Sequence, residues 1–360
     1  MMRRSAGEAE AARTNTNQVM VGKVPIGGGA AIAVQSMLTT RTTDVEACLT
    51  QIDELAALDC EIIRVAIPSA EALLGFAEIC ERSPLPIVAD IHFDHRLALE
   101  AVNRGAAKLR INPGNIGSLD KVDAIIDAAG EAGIPIRVGV NAGSLAHEFQ
   151  LRQDLTQVEK LVASAVTFVE HFEERGFSQV VLSAKAHDVR TTVDTYRLLS
   201  KRLPTIPLHL GVTEAGTLLQ GTVKSAVGMG ILLMEGIGDT FRVSLTADVK
   251  DEVLVAWELL AACGLRRRTP ELVSCPTCGR CQVDLVSLAN EVQQRLQSVR
   301  KPLSVAVMGC VVNGPGEAAE ADVGVACGRG SGAIFSQGSV LYTVPEERII
   351  EALFAEIDKL

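Results

Sequence analysis

The stretch LPIVADIHFDHRLALEAVNRGAAKLRIN, residues 85–112, contains the pattern that decides the fold. It begins with an apolar run at 85–91, continues through an amphipathic segment long enough for a helix, and reaches a second short run at 108–112. A strand, a helix and another strand in this order place two parallel strands in one sheet. Because the strands are apolar almost throughout, we expect the sheet to be covered on both faces.

The same unit recurs along most of the chain, with amphipathic segments such as DVEACLTQIDELAALD at 44–59 between the runs. Eight units within about 230 residues predict an α/β fold with a closed (β/α)8 TIM barrel, and a doubly wound open sheet is the alternative. The predicted strands are AIAVQSM (31–37), EIIRVAI (61–67), LPIVADI (85–91), KLRIN (108–112), IPIRVGVN (134–141), QVVLSAK (179–185), IPLHLGV (206–212) and TFRVSL (240–245).

Four segments follow from this interpretation. Residues 1–18 are a flexible polar tail, 19–264 form the barrel that binds substrate, 265–272 (LRRRTPEL) form a linker, and 273–360 form a small α/β domain that carries clustered cysteines. The opening of the barrel segment, VMVGKVPIGGG, is typical of a small hairpin, which we expect to plug the barrel from below.

Composition excludes several classes of function. A net charge of −10 and 3% aromatic residues argue against a nucleic-acid groove, which needs a basic surface. The first eighteen residues contain no apolar run, so they signal neither export nor membrane insertion. Nine cysteines, an odd number in a long chain, favour a reducing cytoplasm.

Polar residues recur near the carboxyl ends of the predicted strands, two or four positions apart, so each set lies on one strand face. Facing outward they would be buried beneath helices, whereas facing inward they meet at the barrel mouth, where active sites of this fold lie. Four arginines and one lysine around one opening predict a site for a polyanion such as a diphosphate. The residues are Arg64, Asp90 with His92, Arg110 with Asn112, Arg137 with Asn141, Ser183 with Lys185, and Arg242 with Ser244.

Each of these residues also has a structural interpretation. A strand arginine is often paired with a carboxylate, and Asp90 or Glu214 are available as such partners. Asp90 and His92 are consistent with a metal-binding pair, with acid and base groups, or with hydrogen-bonded structural residues.

The segment SCPTCGRC, residues 274–281, places Cys275, Cys278 and Cys281 at regular spacing without a fourth cysteine nearby. A zinc ribbon would add a second CxxC, and a bacterial ferredoxin run would add a cysteine followed by proline. The next candidate ligand is Cys310, in the glycine-rich segment MGCVVNGPGEA, with Glu317 seven residues later.

Nine motifs that follow one another along the chain resemble those of the 4-hydroxy-3-methylbut-2-enyl diphosphate synthase family. Its members are iron–sulfur oxidoreductases of isoprene biosynthesis by the methylerythritol phosphate pathway. The resemblance implies a barrel that binds 2-C-methyl-D-erythritol 2,4-cyclodiphosphate, a C-terminal domain with a [4Fe-4S] cluster, and a homodimer. It also implies a two-electron ring-opening reduction that removes a hydroxyl oxygen, with flavodoxin or ferredoxin as electron donor. The motifs are VPIGGGAAIAVQSM, VADIHFD, LRINPGN, VGVNAGSL, LSAKA, HLGVTEAG, GIGDTFRVSLTAD, SCPTCGR and MGCVVNGPGEA.

The resemblance also implies roles for individual residues. The cluster ligands correspond to Cys275, Cys278, Cys310 and, as an exchangeable fourth ligand, Glu317. We expect Asp90, Glu214 and Glu317 to take part in catalysis. Cys281, Cys327 and His187 depart from the family pattern, so Cys281 and Cys327 are alternative fourth ligands. The expected substrate-binding residues are Arg64, His92, Arg110, Asn112, Arg137, Asn141, Lys185, Arg242 and Ser244.

Two other classes of function are consistent with part of the sequence. A barrel transferase that acts on pterins or methyl groups would explain the barrel and leave the cysteine domain without a role. A non-catalytic iron–sulfur sensor would explain the cysteines and leave the basic barrel mouth without a role.

Overall fold

The computed structural model describes residues 16–145, 147–310 and 321–360. The chain forms two compact units, the first ending at Arg266 and the second running from Arg267 to Leu360.

The first unit is the predicted barrel. Its eight parallel strands follow the order β8-β7-β6-β5-β4-β3-β10-β9, and a parallel bridge between Leu182 and Leu208 joins the β8 and β9 segments, which closes the ring. The open-sheet alternative is therefore wrong. The strands are β3 (Ala33–Met37), β4 (Ile62–Ala66), β5 (Ile87–Asp90), β6 (Lys108–Ile111), β7 (Ile136–Asn141), β8 (Val180–Lys185), β9 (His209–Leu210) and β10 (Thr240–Phe241).

Helices alternate with these strands, and side-chain caps fix where several of them begin. The carboxylates or hydroxyl of Asp44, Asp94, Thr156, Asp188 and Asp248 accept hydrogen bonds from backbone amides of the first turn that follows. The helices are α1 (Val45–Ala57), α2 (Ala72–Arg82), α3 (His95–Asn103), α4 (Pro113–Ile116), α5 (Leu119–Ala132), α6 (His147–Gln150), α7 (Gln157–Glu174), α8 (Val189–Arg202), α9 (Leu218–Met234) and α10 (Val249–Ala262).

A short antiparallel hairpin, β1 (Val19–Val21) and β2 (Val24–Ile26), precedes the barrel. Its buried side chains pack in one cluster with Ala33, Ile62 and Val88, which lie in the first half of their strands. The hairpin therefore fills the amino-terminal end of the barrel, as the sequence predicted, and leaves the carboxyl end as the mouth.

The second unit is a five-stranded mixed sheet of order β11-β12-β13-β14-β15, in which the first three strands are parallel and the last three antiparallel. Positive φ angles at Gln337 and Gly338 form the tight turn between the last two strands. The elements are β11 (Glu271–Ser274), α11 (Leu285–Leu296), β12 (Ser304–Met308), β13 (Val323–Gly328), β14 (Ser331–Ser336), β15 (Ser339–Pro345) and α12 (Ile349–Lys359).

Residues 16 and 17 of the expected tail and several residues of the expected linker make specific contacts. The Asn17 amide donates to the Thr205 carbonyl at 2.6 Å, and the Thr16 hydroxyl donates to Asp239 at 3.0 Å. Within the predicted linker, Arg266 donates to the Ile32 carbonyl and to Glu61, and β11 begins at Glu271. None of the described helices is long and apolar enough to cross a membrane.

The hairpin yields a stability prediction. Replacing Ile26, whose side chain is fully buried, by alanine leaves a cavity at the base of the barrel and is expected to lower the free energy of unfolding by about 2–5 kcal/mol. Met20 on the same hairpin is 43% exposed, so Met20→Ala is the matched control, with an expected change within about 0.5 kcal/mol.

The chain contains one tryptophan, Trp257 on α10, so its fluorescence during urea unfolding follows the first unit alone. Equal stability of the two variants would contradict the proposed packing of the hairpin.

Candidate active site at the barrel mouth

The inward-facing positions of adjacent strands bring charged side chains into one row. Asp90 on β5 is in register with Arg110 on β6, which is in register with Arg137 on β7. Paired residues of parallel strands point to the same face of the sheet. The structure thus brings these three predicted site residues together inside the barrel, where each is at least nine-tenths buried.

Asp90 is the carboxylate to which two arginines are bound. Its Oδ1 accepts a hydrogen bond from Arg110 Nη1 at 3.0 Å, and its Oδ2 lies 3.5 Å from both Arg64 Nε and His92 Nε2. Burial alone would raise the pKa of this carboxyl group, but Arg64, His92 and Arg110 together hold it well below its usual range. Asp90 therefore stays ionised at neutral pH and keeps the arginines in place.

Arg110 is held from three sides. In addition to the bond with Asp90, Arg110 Nη1 lies 2.7 Å from His92 Nε2. Arg110 Nη2 donates to the Asn141 amide oxygen at 3.1 Å in the amide orientation that gives both the oxygen and the nitrogen of Asn141 a hydrogen-bond partner. The guanidinium lies across β7 at Gly139, where a Cβ atom would stand 2.7 Å from Arg110 Nε. Glycine at this position makes room for the arginine.

Arg242, just beyond β10, has a partner that the sequence did not suggest. Its Nε and Nη2 donate to both oxygens of Glu252 on α10 at 3.0–3.2 Å, and Glu252 Oε1 also accepts the Leu245 amide. Met37 lies between the two neighbouring arginines, with its sulfur 2.7 Å from Arg64 Nη2 and 3.6 Å from Arg242 Nη1.

Arg137 differs from the other arginines because none of its three guanidinium nitrogens has a hydrogen-bond partner among the described residues. Burial, together with the charges of Arg64 and Arg110, lowers its pKa well below the ordinary value. Lys185 on β8 is also buried, and it has no ion pair in the described part of the chain. Burial, followed by the charges of Arg137 and Arg64, lowers its pKa well below the ordinary value. Its ammonium group lies over Gly211, where a Cβ would approach Nζ to 2.5 Å.

A layer below the mouth holds polar residues that the sequence analysis missed. Lys108 on β6 is fully buried, with Nζ 3.4 Å from Gln35 Oε1, and both ring nitrogens of buried His209 lack a partner among the described residues. Lys108 stands two positions before Arg110, so the spacing that identified Arg110 also identifies Lys108.

Positive charge therefore exceeds negative charge inside the barrel. If all are ionised, two carboxylates, Asp90 and Glu252, stand against six cations in this part of the structure. Like charges held together at low dielectric raise the free energy of the ligand-free protein, and an anion at the mouth relieves that cost. The cations are Arg64, Lys108, Arg110, Arg137, Lys185 and Arg242.

The remaining predicted site residues lie in different environments. Asn112 is buried, and its contacts are those of a structural residue. Its amide nitrogen donates to the Ser144 carbonyl, and its amide oxygen accepts from the Gly114 backbone amide. Ser244 is half-buried, and His187 is exposed. Glu214, beyond β9, is exposed and has a left-handed φ of 53°, a conformation that non-glycine residues adopt mostly at functional sites and turns.

Two cysteines of the second unit, Cys275 and Cys310, lie at the same edge of its sheet. Cys275 directly follows β11 and Cys310 follows β12, and these neighbouring strands are parallel, so their carboxyl ends coincide. The Gly309 amide, next to Cys310, donates to Cys275 Sγ at 3.3 Å. Cys278 is exposed.

Cys281 is held differently, because its thiol donates to the Val283 carbonyl at 3.2 Å. Cys327 is buried in β13 and has a pKa of about 12, raised chiefly by burial. Glu317 lies outside the described residues. Within the described residues no three histidine, cysteine or acidic side chains are close enough to hold a metal ion. In identity, however, the thiols of Cys275, Cys278 and Cys310 fit the donor set of an iron–sulfur cluster, and Cys275 and Cys310 follow neighbouring parallel strands.

Comparison with known proteins agrees with this division of the chain. Residues 16–257 match the GcpE TIM-barrel domain, and residues 271–359 match the GcpE protein C-terminal domain. The chain is 52% identical over 348 residues to 4-hydroxy-3-methylbut-2-en-1-yl diphosphate synthase (flavodoxin) of Geobacter sulfurreducens. This match covers 97% of this chain and 98% of that protein. It is 48% identical over 348 residues to the protein of the same name from Bacillus subtilis, covering 97% and 92%.

Among solved structures, 7,8-dihydropteroate synthase from Vibrio fischeri ES114 superposes with a TM-score of 0.50. The match has 14% identity and covers 69% of this chain and 98% of that one, so it supports the barrel fold alone.

Buried Lys108 yields a prediction about pH. Burial, with the charges of Arg137 and Arg64, holds its pKa well below 10.5, whereas the unfolded chain restores the ordinary value. Between these two values the unfolded state binds one proton more, so the free energy of unfolding rises with pH by up to about 1.4 kcal/mol per unit.

Lys108→Met is therefore expected to flatten the dependence of unfolding free energy on pH in the interval between the lowered pKa and the ordinary value of 10.5. Lys121→Met, at an exposed lysine, serves as the control that keeps the wild-type slope. Parallel curves for wild type and Lys108→Met would show that Lys108 is charged in the folded protein.

Proposed function

The chain belongs to the GcpE family, and on that premise we propose that it reduces 2-C-methyl-D-erythritol 2,4-cyclodiphosphate to (E)-4-hydroxy-3-methylbut-2-enyl diphosphate. The observation that carries this proposal is the excess of buried positive charge at the barrel mouth. A cyclic diphosphate is a compact dianion that matches this excess, and its curved shape fits a ring of inward-facing cations.

The substrate's diphosphate is expected to bind first to the cations that lack partners. Arg137 offers unpaired guanidinium nitrogens, and Lys185 offers an ammonium group at the end of β8. Arg64 and Arg110 have their planes set by Asp90, so little conformational entropy is lost when they close on an anion. The substrate would thereby be fixed with its carbon chain toward the open side of the mouth.

The reaction takes up two electrons and two protons, breaks one C–O bond to the ring diphosphate and releases a hydroxyl oxygen as water. Asp90 is held ionised, so its contacts favour a positioning role in the predicted catalytic set. His92 is 44% exposed at its side chain and borders both Asp90 and Arg110, so it is placed to hold a proton beside the bound diphosphate. Glu214, exposed beyond β9, is the other predicted acid at this end of the barrel.

Cys275, Cys278 and Cys310 would hold a [4Fe-4S] cluster, and Glu317 would be its fourth, exchangeable ligand. When bound, the cluster supplies the two electrons one at a time. The flavodoxin in the names of the curated relatives supports a flavodoxin as donor, with ferredoxin as the alternative. A homodimer, in which one subunit's cluster domain serves the partner's barrel, completes the proposal.

Anaerobic purification and a turnover assay test the function as a whole. We expect about four iron and four sulfide ions per chain, and conversion of the cyclic diphosphate to the linear diphosphate by the protein with reduced flavodoxin. Iron without turnover would favour a non-catalytic sensor. Turnover of a pterin substrate without iron would favour a barrel transferase.

Arg137→Met tests the anion site without disturbing the fold. Loss of one bidentate contact is expected to weaken binding of the cyclic diphosphate by about 1.5–3 kcal/mol, which is roughly 10- to 140-fold in Kd. The melting temperature is expected to hold or rise, because the substitution removes a buried charge that has no partner among the described residues.

Arg242→Met is the matched contrast, because it leaves Glu252 buried without its arginine and is expected to lower stability by about 3–5 kcal/mol. Calorimetric titration and thermal melting of both variants supply the readouts. If Arg137→Met melts lower and binds the cyclic diphosphate like wild type, Arg137 is a structural residue.

The ligand assignment yields a separate prediction. Cys281→Ser is expected to keep the cluster and the activity, because the Cys281 thiol is bound to the Val283 carbonyl and serine makes the same bond. Cys310→Ser is expected to lose the cluster, as judged by visible absorption and iron content. A colourless Cys281→Ser protein would make the site a four-cysteine one.

A further inference from the structure

The segment CPTCGRC, residues 275–281, contains two overlapping CxxC sequences, and a turn closes the second of them. The Cys281 backbone amide donates to the Cys278 carbonyl at 2.9 Å, which makes residues 278–281 a β-turn. Among the backbone hydrogen bonds of the described residues, none closes a turn from Cys275 to Cys278. The backbone therefore pairs Cys278 with Cys281.

This turn brings the two cysteines within the distance that a disulfide spans. The first and fourth Cα atoms of a β-turn lie less than about 7 Å apart, and disulfides join residues whose Cα atoms are usually about 4.4–6.8 Å apart. The Cys281 thiol donates to the Val283 carbonyl at 3.2 Å, and a thiol is a weak donor, so this bond costs little to break. Rotation of the two side chains can therefore join Cys278 to Cys281 without a large movement of the backbone.

The two thiols also differ in exposure. Cys278 is exposed, so an oxidant in solution reaches it first. Cys281 is half-buried against Gly309, where a Cβ would stand 2.6 Å from the Cys281 sulfur, and the Gln282 amide ties the backbone to the Gly309 carbonyl at 2.9 Å. An accessible thiol beside a second, fixed thiol is the arrangement of redox-sensitive cysteines.

We propose that Cys278 and Cys281 form a reversible disulfide when the cluster-free chain meets peroxide. The inference rests on the proposed function, in which Cys278 is a cluster ligand and Cys281 is not. While the cluster is bound, the Cys278 sulfur is occupied and the disulfide cannot form. Loss of the cluster frees Cys278, and the turn places Cys281 to capture it.

The oxidation takes place in two balanced steps. The Cys278 thiol attacks one oxygen of hydrogen peroxide, which breaks the O–O bond and gives a sulfenic acid and one water. The Cys281 thiol then attacks the Cys278 sulfur, which forms the S–S bond and releases the sulfenic oxygen as a second water. Two thiols are thereby oxidised and one peroxide is reduced. The disulfide protects Cys278 from oxidation to the sulfinic acid, and a dithiol reductant restores both thiols.

Trypsin distinguishes this disulfide from its alternative, because Arg280 lies between the two cysteines. Cleavage after arginine gives peptide 269–280, which contains Cys275 and Cys278, and peptide 281–295, which begins with the third cysteine of the segment. A disulfide to that third cysteine joins the two peptides, whereas a disulfide between the first two stays within peptide 269–280.

The test starts from the anaerobically purified full chain with its cluster. Hydrogen peroxide and an iron chelator are added until the visible absorption is lost, and remaining thiols are blocked before digestion. We expect joined peptides in wild type, with fragment masses that place the bond at Cys278, and their separation by dithiothreitol. Cys263→Ser, at a half-buried cysteine of the barrel, is the matched control that keeps the joined peptides.

Cys281→Ser supplies the second readout. It is expected to lose the joined peptides and to carry a sulfinic acid at Cys278, which wild type lacks. A wild-type disulfide confined to peptide 269–280, a bond of Cys281 to any other peptide, or equal amounts of sulfinic acid in both proteins would overturn the proposal. Iron in the purified chain without joined peptides would overturn the disulfide alone. Joined peptides from a chain that purifies without iron would support the disulfide and contradict the proposed function.

Discussion

The ion pairs of Asp90 with Arg64 and Arg110 organise the barrel mouth. Without this buried carboxylate, the two arginines would face each other and Arg137 at low dielectric, with Glu252, the partner of Arg242, as the nearby carboxylate. Asp90 offsets part of that repulsion and fixes the planes of two guanidinium groups. The remaining excess at Arg137, next to a Lys185 whose pKa burial and the neighbouring arginines lower, gives the ligand-free barrel an affinity for anions. Stability and binding are therefore coupled, because the same charges that weaken the empty barrel attract the substrate.

The barrel tolerates this strain because the rest of it is conventionally packed. The β1–β2 hairpin seals the amino-terminal end with apolar side chains, and the helices cover the outer face of the sheet. Gly139 and Gly211 let long side chains lie flat against neighbouring strands, so the cations reach the centre of the barrel. In the second unit, parallel pairing of β11 and β12 brings Cys275 and Cys310 to one edge although 34 positions separate the Cys275 thiol from the Gly309 amide that bonds it.

Much of this architecture follows from local pattern. Strand period and apolar composition predicted the eight barrel strands, and the period of two predicted that Asp90, Arg110 and Arg137 face inward. Partner identity did not follow, because Glu252, ten positions after Arg242, has the spacing of an ordinary residue of an amphipathic helix. Lys108 was missed although its spacing was visible, since a buried lysine without a carboxylate is unusual. The roles of Glu317 and of the catalytic acids remain predictions, since they depend on groups beyond the described residues or on the bound substrate.

The barrel mouth contains more cationic than anionic side chains, and Lys185 is expected to take up a proton when an anion binds there. Calorimetric titration of the cyclic diphosphate in two buffers of different ionisation enthalpy measures this directly, because both phosphates of the ligand are fully ionised near neutral pH. The account predicts net proton uptake by wild-type protein and its loss in Lys185→Met, since burial and the arginines hold the pKa of Lys185 low until the anion arrives. Tight binding without proton exchange in wild type would contradict it.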